Sequence, residues 1–391
     1  MCKMADSHPK STPSTTQNER AADIVSDDEI RVGLSASVSG KFQLQGQQAL
    51  NGVLLGQSYA NDQGGISING EIPRAVRLIW YDDASRVSRT RKNVLRLIRD
   101  DNVDILLGPY SSILTTAAGE IAEEFKKILW NYGGTSDEIF NRGWRHMIGI
   151  ASPASDYFRA LPLWLAKQFA DLRRICILHS SKGSFGRQVV RGVLESSQEA
   201  SQSLELVRFE APVKNNDPAL LTLLDLSPEA VVLAGSFQDE LALMRTRPRW
   251  PTSVQVVAAV AAGIAAFSSQ LGQMADGVIG PSQWEPEVNF PRIIGPTSDC
   301  FANSFQKQFA SKPDYIAAGS FATALIVTEC IRRTHSLDTD KLRGAASELD
   351  CHTFYGHFRI AAQSGKQLGH QMLLIRWHSG GRIVLPSSKS N

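Results

Sequence analysis

The sequence predicts an α/β protein of two doubly wound lobes. Three observations predict it: a chain of 391 residues, an alternation of short apolar runs with helical periods in its first part, and a second run of the same alternation after the stretch IASPASD. A chain of that length exceeds the size at which one hydrophobic core stops growing, so it divides into domains. Alternating strands and helices build parallel sheets through right-handed crossovers, with helices covering both faces.

In the first run the strands are IRVGLSA (30–36), AVRLIWYDD (75–83), DILLGP (104–109) and KILWNY (127–132). Between them, three helical faces repeat at about 3.6 residues. They are Leu50, Val53, Leu54 and Ala60; then Val87, Val94 and Ile98; then Leu114, Ala117, Ile121 and Phe125. In the second run the strands are RRICILHSS (173–181), SLELVRFEA (203–211), EAVVLAGS (229–236) and SVQVVAAV (253–260), with helices at 186–200, 216–225 and 238–246. The order then breaks. GVIGPSQWEPE (277–287) is extended and proline-rich, and helices follow around 297–311 and 314–334. FYGHFRIA and HQMLLIRWHSGGRIVL close the chain and are expected to pair antiparallel, with Gly365 in the turn QSGKQ between them. This late return implies that the chain crosses between the lobes more than once.

Composition narrows the function. The hydrophobic and charged fractions, 42% and 20%, are those of an ordinary globular chain. A net charge of +2, with both signs mixed along the chain, leaves no footprint for nucleic acid. No run of about 18 apolar residues suggests a membrane span. The five cysteines, at 2, 176, 300, 330 and 351, form no CxxC, and no histidine pair has metal spacing. A disulfide framework and structural zinc are therefore not expected. One bridge among Cys300, Cys330 and Cys351 stays open. The first 29 residues and residues 387–391 read as tails, the former rich in Ser, Thr, Pro and charge. No apolar stretch of a secretory signal occurs there. Either the protein is cytoplasmic or its leader lies upstream.

Ligands of open α/β sheets sit beyond the carboxyl ends of the strands, and two facing lobes would make a cleft there. Three strand ends carry glycine and hydroxyl clusters. In GPYSSILTT, from Gly108, Ser111 or Ser112 begins a helix whose free N–H groups suit a carboxylate. In ILWNYGGTSDEIF, Gly133 and Gly134 expose backbone and Thr135 adds a hydroxyl. The expectation is that a ligand lies against that backbone. HSSKGSFGRQVVRG (179–192) fails both the P-loop and the dinucleotide patterns, and Phe185 reads as an aromatic wall. Each has a plainer reading: Ser112 caps its own helix, Asp137 caps the next, and Phe185 belongs to the core. Catalysis has little support. No GxSxG elbow occurs, the eight histidines are scattered, and Asp82 and Asp83 read as a capping pair. A non-enzyme without cofactor is expected.

These clusters, in this order, resemble the type I periplasmic solute-binding family, in particular the leucine/isoleucine/valine binding proteins of ABC transporters. The resemblance covers about Ile30 to Leu385. It rests on IRVGLSASVSGKFQLQGQQALNG, NDQGGISINGEIPRAVRLIWYDDAS, LLGPYSS, GGTSDEIFNRGWRH and YGHFRI…GHQMLLIRW. It implies lobes formed by 30–152 plus 285–336 and by 153–284 plus 337–386, joined by three crossing strands around a central cleft that closes by hinge motion. Ser112 would hold a ligand carboxylate, and Gly133, Gly134 and Thr135 its ammonium and carboxylate. Phe185 and Phe237 would close over it, with Gln45 a further contact. One departure stands out. The acid that such amino-acid binders place after the strand matched by VQVVAAV falls here at Ala259–Val260. A buried ammonium without a counter-charge is costly, so Asp239, Glu240 or Glu285 substitutes, or the ligand is not a plain α-amino acid. The cysteine pair of some relatives falls at Ser85 and Ser111. The expected function is capture of a small amino-acid-like solute for a membrane permease of an ABC transporter, in the periplasm. The alternative is a cytoplasmic amide sensor of the same fold that regulates a partner protein.

Overall fold

In a computed structural model, residues 29–68, 70–169, 171–180, 183–199, 205–211 and 217–386 are described. The expected tails at 1–29 and 387–391 lie outside them, save Glu29, which begins the first strand and not a tail. The chain divides into two units. The first takes the chain up to Gly134, Ile139–Ala151 and Pro286–His370; the second takes Thr135–Glu138, Ser152–Glu285 and the chain from Gln371 onward.

The first unit holds a five-stranded, all-parallel sheet. Its strands are β1 (Glu29–Ala36), β2 (Ala75–Asp82), β3 (Ile105–Leu107), β4 (Leu129–Asn131) and β5 (Met147–Gly149), in the order β2-β1-β3-β4-β5. The helices α1 (Gln43–Asp62), α2 (Val87–Arg99) and α3 (Ser112–Glu124) are the crossovers, as the periodicity indicated. A four-residue α4 (Asp137–Phe140) follows β4.

The second unit holds a seven-stranded sheet. Its parallel part is β6 (Arg174–Ser180), β7 (Glu205–Ala211), β8 (Ala230–Ala234), β9 (Val256–Ala259) and β10 (Ile279–Ser282). α5 (Leu161–Gln168), α6 (Phe185–Ser197), α7 (Asp217–Leu226), α8 (Phe237–Met244) and α9 (Ala266–Leu271) accompany it. β13 (Leu373–His378) joins β10 antiparallel and turns back through Ser379 and Gly380, both at positive φ, into β14 (Gly381–Val384).

The C-terminal third corrects two expectations. FYGHFRIA does not pair with HQMLLIRWHSGGRIVL. It holds β12 (Gly356–Phe358), which makes a two-stranded ribbon with β11 (Cys351–Thr353), while LLIRWH is β13 of the other sheet. Near the proposed turn only the bridge Ile360↔Gln367 forms. Gly365 is at positive φ, and its carbonyl accepts from the Gly149 amide of β5 at 2.8 Å. Residues 337–370, assigned from the sequence to the second lobe, belong to the first unit. They include α12 (Thr339–Glu348), which the sequence reading missed and which Asp338 caps by accepting from the Lys341 amide. Arg343 of α12 fastens this segment by donating to the carbonyls of Arg145 and Ala362.

α10 (Ser298–Phe309) and α11 (Tyr315–Thr334) match the two helices expected before it. α11 is long and apolar enough to cross a membrane by length and composition, but 83% of its most apolar window is buried within the protein. Asp314 caps it through the Ile316 and Ala317 amides. Its close partner is α1, where Gly52 faces Ala317 and Ser320 and Gly56 faces Ala324. Cys176, Cys330 and Cys351 are free, so no bridge joins Cys330 and Cys351 to each other or to Cys300.

Candidate functional site

At the carboxyl ends of the first unit's strands the polar side chains are mostly committed to one another. Asp83 is fully buried; its carboxylate accepts from the Ser35 and Ser37 hydroxyls at 3.1 and 2.6 Å and from the Ser85 amide at 2.8 Å. Burial raises its pKa against those three hydrogen bonds. Asp82 accepts from the Ser39 hydroxyl and from the amides of Val38 and Ala84. The two carboxylates therefore fix the loops after β1 and β2. Tyr132, buried after β4, is held above the usual phenol range by burial and by the negative charge of Asp83.

Two groups at these ends have no hydrogen-bond partner among the described residues. Ser111 is the N-cap residue of α3, yet its side chain makes no capping bond and its buried Oγ is unpaired. Gln45, in the first turn of α1, is 3% exposed, and its Oε1 is unpaired. An edge-to-face contact of Phe42 with Tyr110, centroids 5.7 Å apart, brings the start of α1 to the loop before α3. Ser112 is half-buried as the first helical residue, so the reading of Ser112 as the cap is replaced by Ser111 in that position. Buried polar atoms that lack partners cost about 1–3 kcal/mol each, and each calls for a partner such as a water, an ion or a ligand.

The glycine pair has a packing reason. Neither Gly133 nor Gly134 is at positive φ. A Cβ on Gly133 would lie 2.7 Å from the Pro109 carbonyl oxygen and 2.8 Å from Tyr110 Cα, and one on Gly134 would strike the Thr115 side chain. The loops after β3 and β4 pack backbone to backbone, and that packing excludes a side chain. Both glycine amides donate to Asn131 Oδ1, at 3.1 and 2.7 Å, and Asn131 Nδ2 donates to the Gly134 carbonyl. Asn131, unnoticed in the sequence, thus organises this turn as a local side-chain-to-backbone motif.

In the second unit, Thr135 is 6% exposed and its carbonyl accepts from the Ala154 amide at 2.7 Å. Asp137 is buried; it accepts from the amide and hydroxyl of Ser155 and is paired with Arg191 at 3.3 Å. Phe185 opens α6 half-buried, edge-to-face with Tyr157 at 5.2 Å, and packs on the core between α5, α6 and the sheet. Phe237 opens α8 half-buried against the core of the opposite face. Both lie just beyond strand ends.

The three acids offered as substitutes are all engaged by the protein. Asp239 accepts from Ser236, the cap of α8. Glu285 is buried and paired with Arg382 at 3.2 Å. Glu240 is 3% exposed and accepts from the amides of Gly235 and Ala261 at 2.6 and 2.7 Å. Burial pushes its pKa up to about 8 against those two bonds. Its carboxyl thus reaches the backbone just after β9, beside the Ala259–Val260 step. A cavity of about 340 Å³ in the second unit lies elsewhere, at the opposite strand ends, lined by Trp164, Phe169, Gln255, Asp276, Arg376 and Trp377. None of the residues singled out from the sequence lines it. Among the described residues no group of three His, Cys, Asp or Glu is placed to hold a metal.

Comparison with known proteins agrees with this architecture. A family model described as periplasmic binding protein matches residues 29–382. The Leu/Ile/Val-binding protein homolog 7 of Brucella abortus (strain 2308) is 24% identical over 378 residues, covering 91% of each chain. Two solved structures share the fold. The branched-chain amino acid transporter substrate binding protein LivJ of Streptococcus pneumoniae, in complex with isoleucine, has a TM-score of 0.76 at 15% identity, covering 91% of this chain and 99% of that one. A solute binding protein of an ABC transporter from R. palustris, in complex with benzoate, has a TM-score of 0.73 at 17% identity, covering 92% and 96%.

Proposed function

The chain belongs to the periplasmic binding protein family, and we propose that within it this protein is the solute receptor of an ABC transporter, working in the periplasm and passing a small carboxylate-bearing, amino-acid-like solute to a membrane permease. The observation that carries the ligand class is the unpaired Ser111 Oγ beside the N-terminus of the thirteen-residue α3, while the unpaired Gln45 Oε1, an acceptor, suits a donor on the same solute. A helix start with free amides and hydroxyls favours an anion, and a carboxylate there would accept from Ser111, Ser112 and the first-turn amides. Gln45 Oε1 would accept from an N–H or O–H donor of the same ligand. The relatives whose names refer to amino acids support the amino-acid-like part of the reading.

A second reading is favoured by one specific observation. Position 259–260 offers only Ala and Val, and Asp239, Glu240 and Glu285 all have partners within the second unit. A solute with a carboxylate and no ammonium would need no counter-charge, and the R. palustris neighbour, in complex with benzoate, is of that kind. Titration calorimetry against leucine, isoleucine and valine, their des-amino analogues, and benzoate decides. Binding of the amino acids alone supports the first reading, and binding of the des-amino acids or benzoate supports the second. Saturable binding of none of these solutes, and of no other small acid in a wider screen, would overturn the proposal.

A further inference from the structure

Cys330 and Cys351 are free thiols of the first unit, 0% and 2% exposed. One lies in the last turns of α11 and the other opens β11. The ribbon of β11 and β12 runs antiparallel to α11, and two contacts set the register. Tyr355 lies against Gly319, where an added Cβ would be 3.1 Å from its hydroxyl. Phe354 meets Phe321 edge-to-face with centroids 5.7 Å apart. From Phe354 back to Cys351 the strand advances about 10 Å, a distance that α11 covers in about seven residues. Counted from Phe321, that lands on the turn holding Glu329 and Cys330. The electrostatics place it there too: Glu329 and Arg333 both act on the Cys351 thiol, and Cys351 acts on Cys330.

We propose that Cys330 and Cys351 are a cross-linking pair that closes to a disulfide, pinning the β11–β12 ribbon to the end of α11. The oxidant is an external disulfide, either a small one such as oxidised glutathione or that of an oxidoreductase. One cysteine thiolate attacks it, forming a mixed disulfide and releasing one external thiol. The second cysteine thiolate then attacks the protein sulfur, forms the Cys330–Cys351 bond and expels the second external thiol. Two protein thiols lose two electrons and two protons, and one external disulfide becomes two thiols. Burial pushes Cys330 up to about 12 and Cys351 to about 11, so thiolate is scarce in the folded chain. The exchange therefore belongs to folding or to an opening of the ribbon, and the closed bond is then shielded from reductants. This inference is independent of the solute reading.

The test uses the full chain, reduced, unfolded, and refolded in mixed oxidised and reduced glutathione until its circular dichroism is regained. Trypsin cuts after Arg332, Arg343 and Arg359, which separates the two cysteines. The expected product is a linked pair of peptides holding Cys330 and Cys351, lighter by two hydrogens than their sum. The same linkage must be absent from Cys351→Ala. The oxidised protein should melt several degrees above the reduced one, and that difference should vanish in C330A/C351A. Free, alkylatable Cys330 and Cys351 in the refolded protein, or linkage of either to a different cysteine, overturns the proposal. If the double variant does not fold, the peptide map of the unaltered chain decides alone.

Discussion

Gly133 shows how a single residue can be chosen by backbone approach and not by its own dihedral angles. With Pro109 and Tyr110 main-chain atoms within 2.8 Å of where its Cβ would be, Gly133→Val should lower stability by about 1–3 kcal/mol or more through overpacking. Urea unfolding checks this; an unchanged midpoint would mean the two loops separate freely. Ser112→Ala should behave in the opposite way. Ser112 is the first helical residue of α3 and not its N-cap, so its loss should not cost the N-cap contribution to stability. Its removal is expected to weaken binding of the carboxylate solute by about tenfold or more, the scale of a hydrogen bond to a charged group, with the melting temperature of the free protein nearly unchanged. Glu240 gives a pH signature. Its folded pKa, about 8, lies above its ordinary value, so between about pH 5 and 8 the folded chain keeps a proton that the unfolded chain has lost. Stability contributed by this group is therefore full at low pH and falls as pH rises through that window, by up to about 1.4 kcal/mol per pH unit. Glu240→Gln should flatten the dependence in denaturation curves taken across that range, and a variant with the same slope as the parent would count against this burial.

At the scale of elements, the pairing of α1 with α11 depends on small residues. Gly56 would place a Cβ 2.7 Å from that of Ala324, Gly52 lies against the Ala317 carbonyl, and Ser320 donates to the Ala49 carbonyl at 2.9 Å. Gly52→Ala gains helix propensity, worth about 1 kcal/mol on an open helix, but here it must push two buried helices apart. A net loss of about 1–3 kcal/mol is expected, measurable by thermal melting; a gain in stability would show that the helices adjust without cost. The same elements explain why residues 337–370 stay with the first unit. Arg343 ties α12 to the Arg145 carbonyl, and Gln367 donates to the Ile150 carbonyl at 3.0 Å.

For the whole molecule, the solute reading has a thermodynamic consequence that does not depend on knowing which residues touch the ligand. A ligand that binds only the folded chain stabilises it by about 2.7 kcal/mol at a hundredfold excess over Kd. The acid identified by titration should therefore raise the melting temperature in a concentration-dependent way, and its amide or ester, lacking the negative charge, should raise it far less. Equal shifts from acid and amide would argue against a carboxylate held at a helix start and in favour of amide recognition.

The sequence by itself determined β1–β4, β6–β9, the helices α1–α3 and α6–α8 and the later α10 and α11, because hydrophobic period and strand length are local properties of the chain; the short β5, α4, α5 and α9 it did not mark. It also determined the family, because the strand-end clusters keep their order along the chain. It did not reveal where FYGHFRIA pairs, because antiparallel partners are selected by burial of Phe354 and Phe358 and not by nearness in sequence. Among the candidate site residues, Ser112 was marked by its place at a strand end and Gln45 only by the family resemblance. Their neighbours Ser111 and Asn131 acquired their roles only when the loops after β3 and β4 came together, which left Ser111 Oγ unpaired and committed Asn131 to the glycine amides. The fates of Asp83, Asp137, Glu240 and Glu285 were likewise decided by tertiary structure. A buried carboxylate is defined by the hydroxyls, amides and guanidinium groups that reach it from distant segments, and sequence spacing carries no record of those approaches.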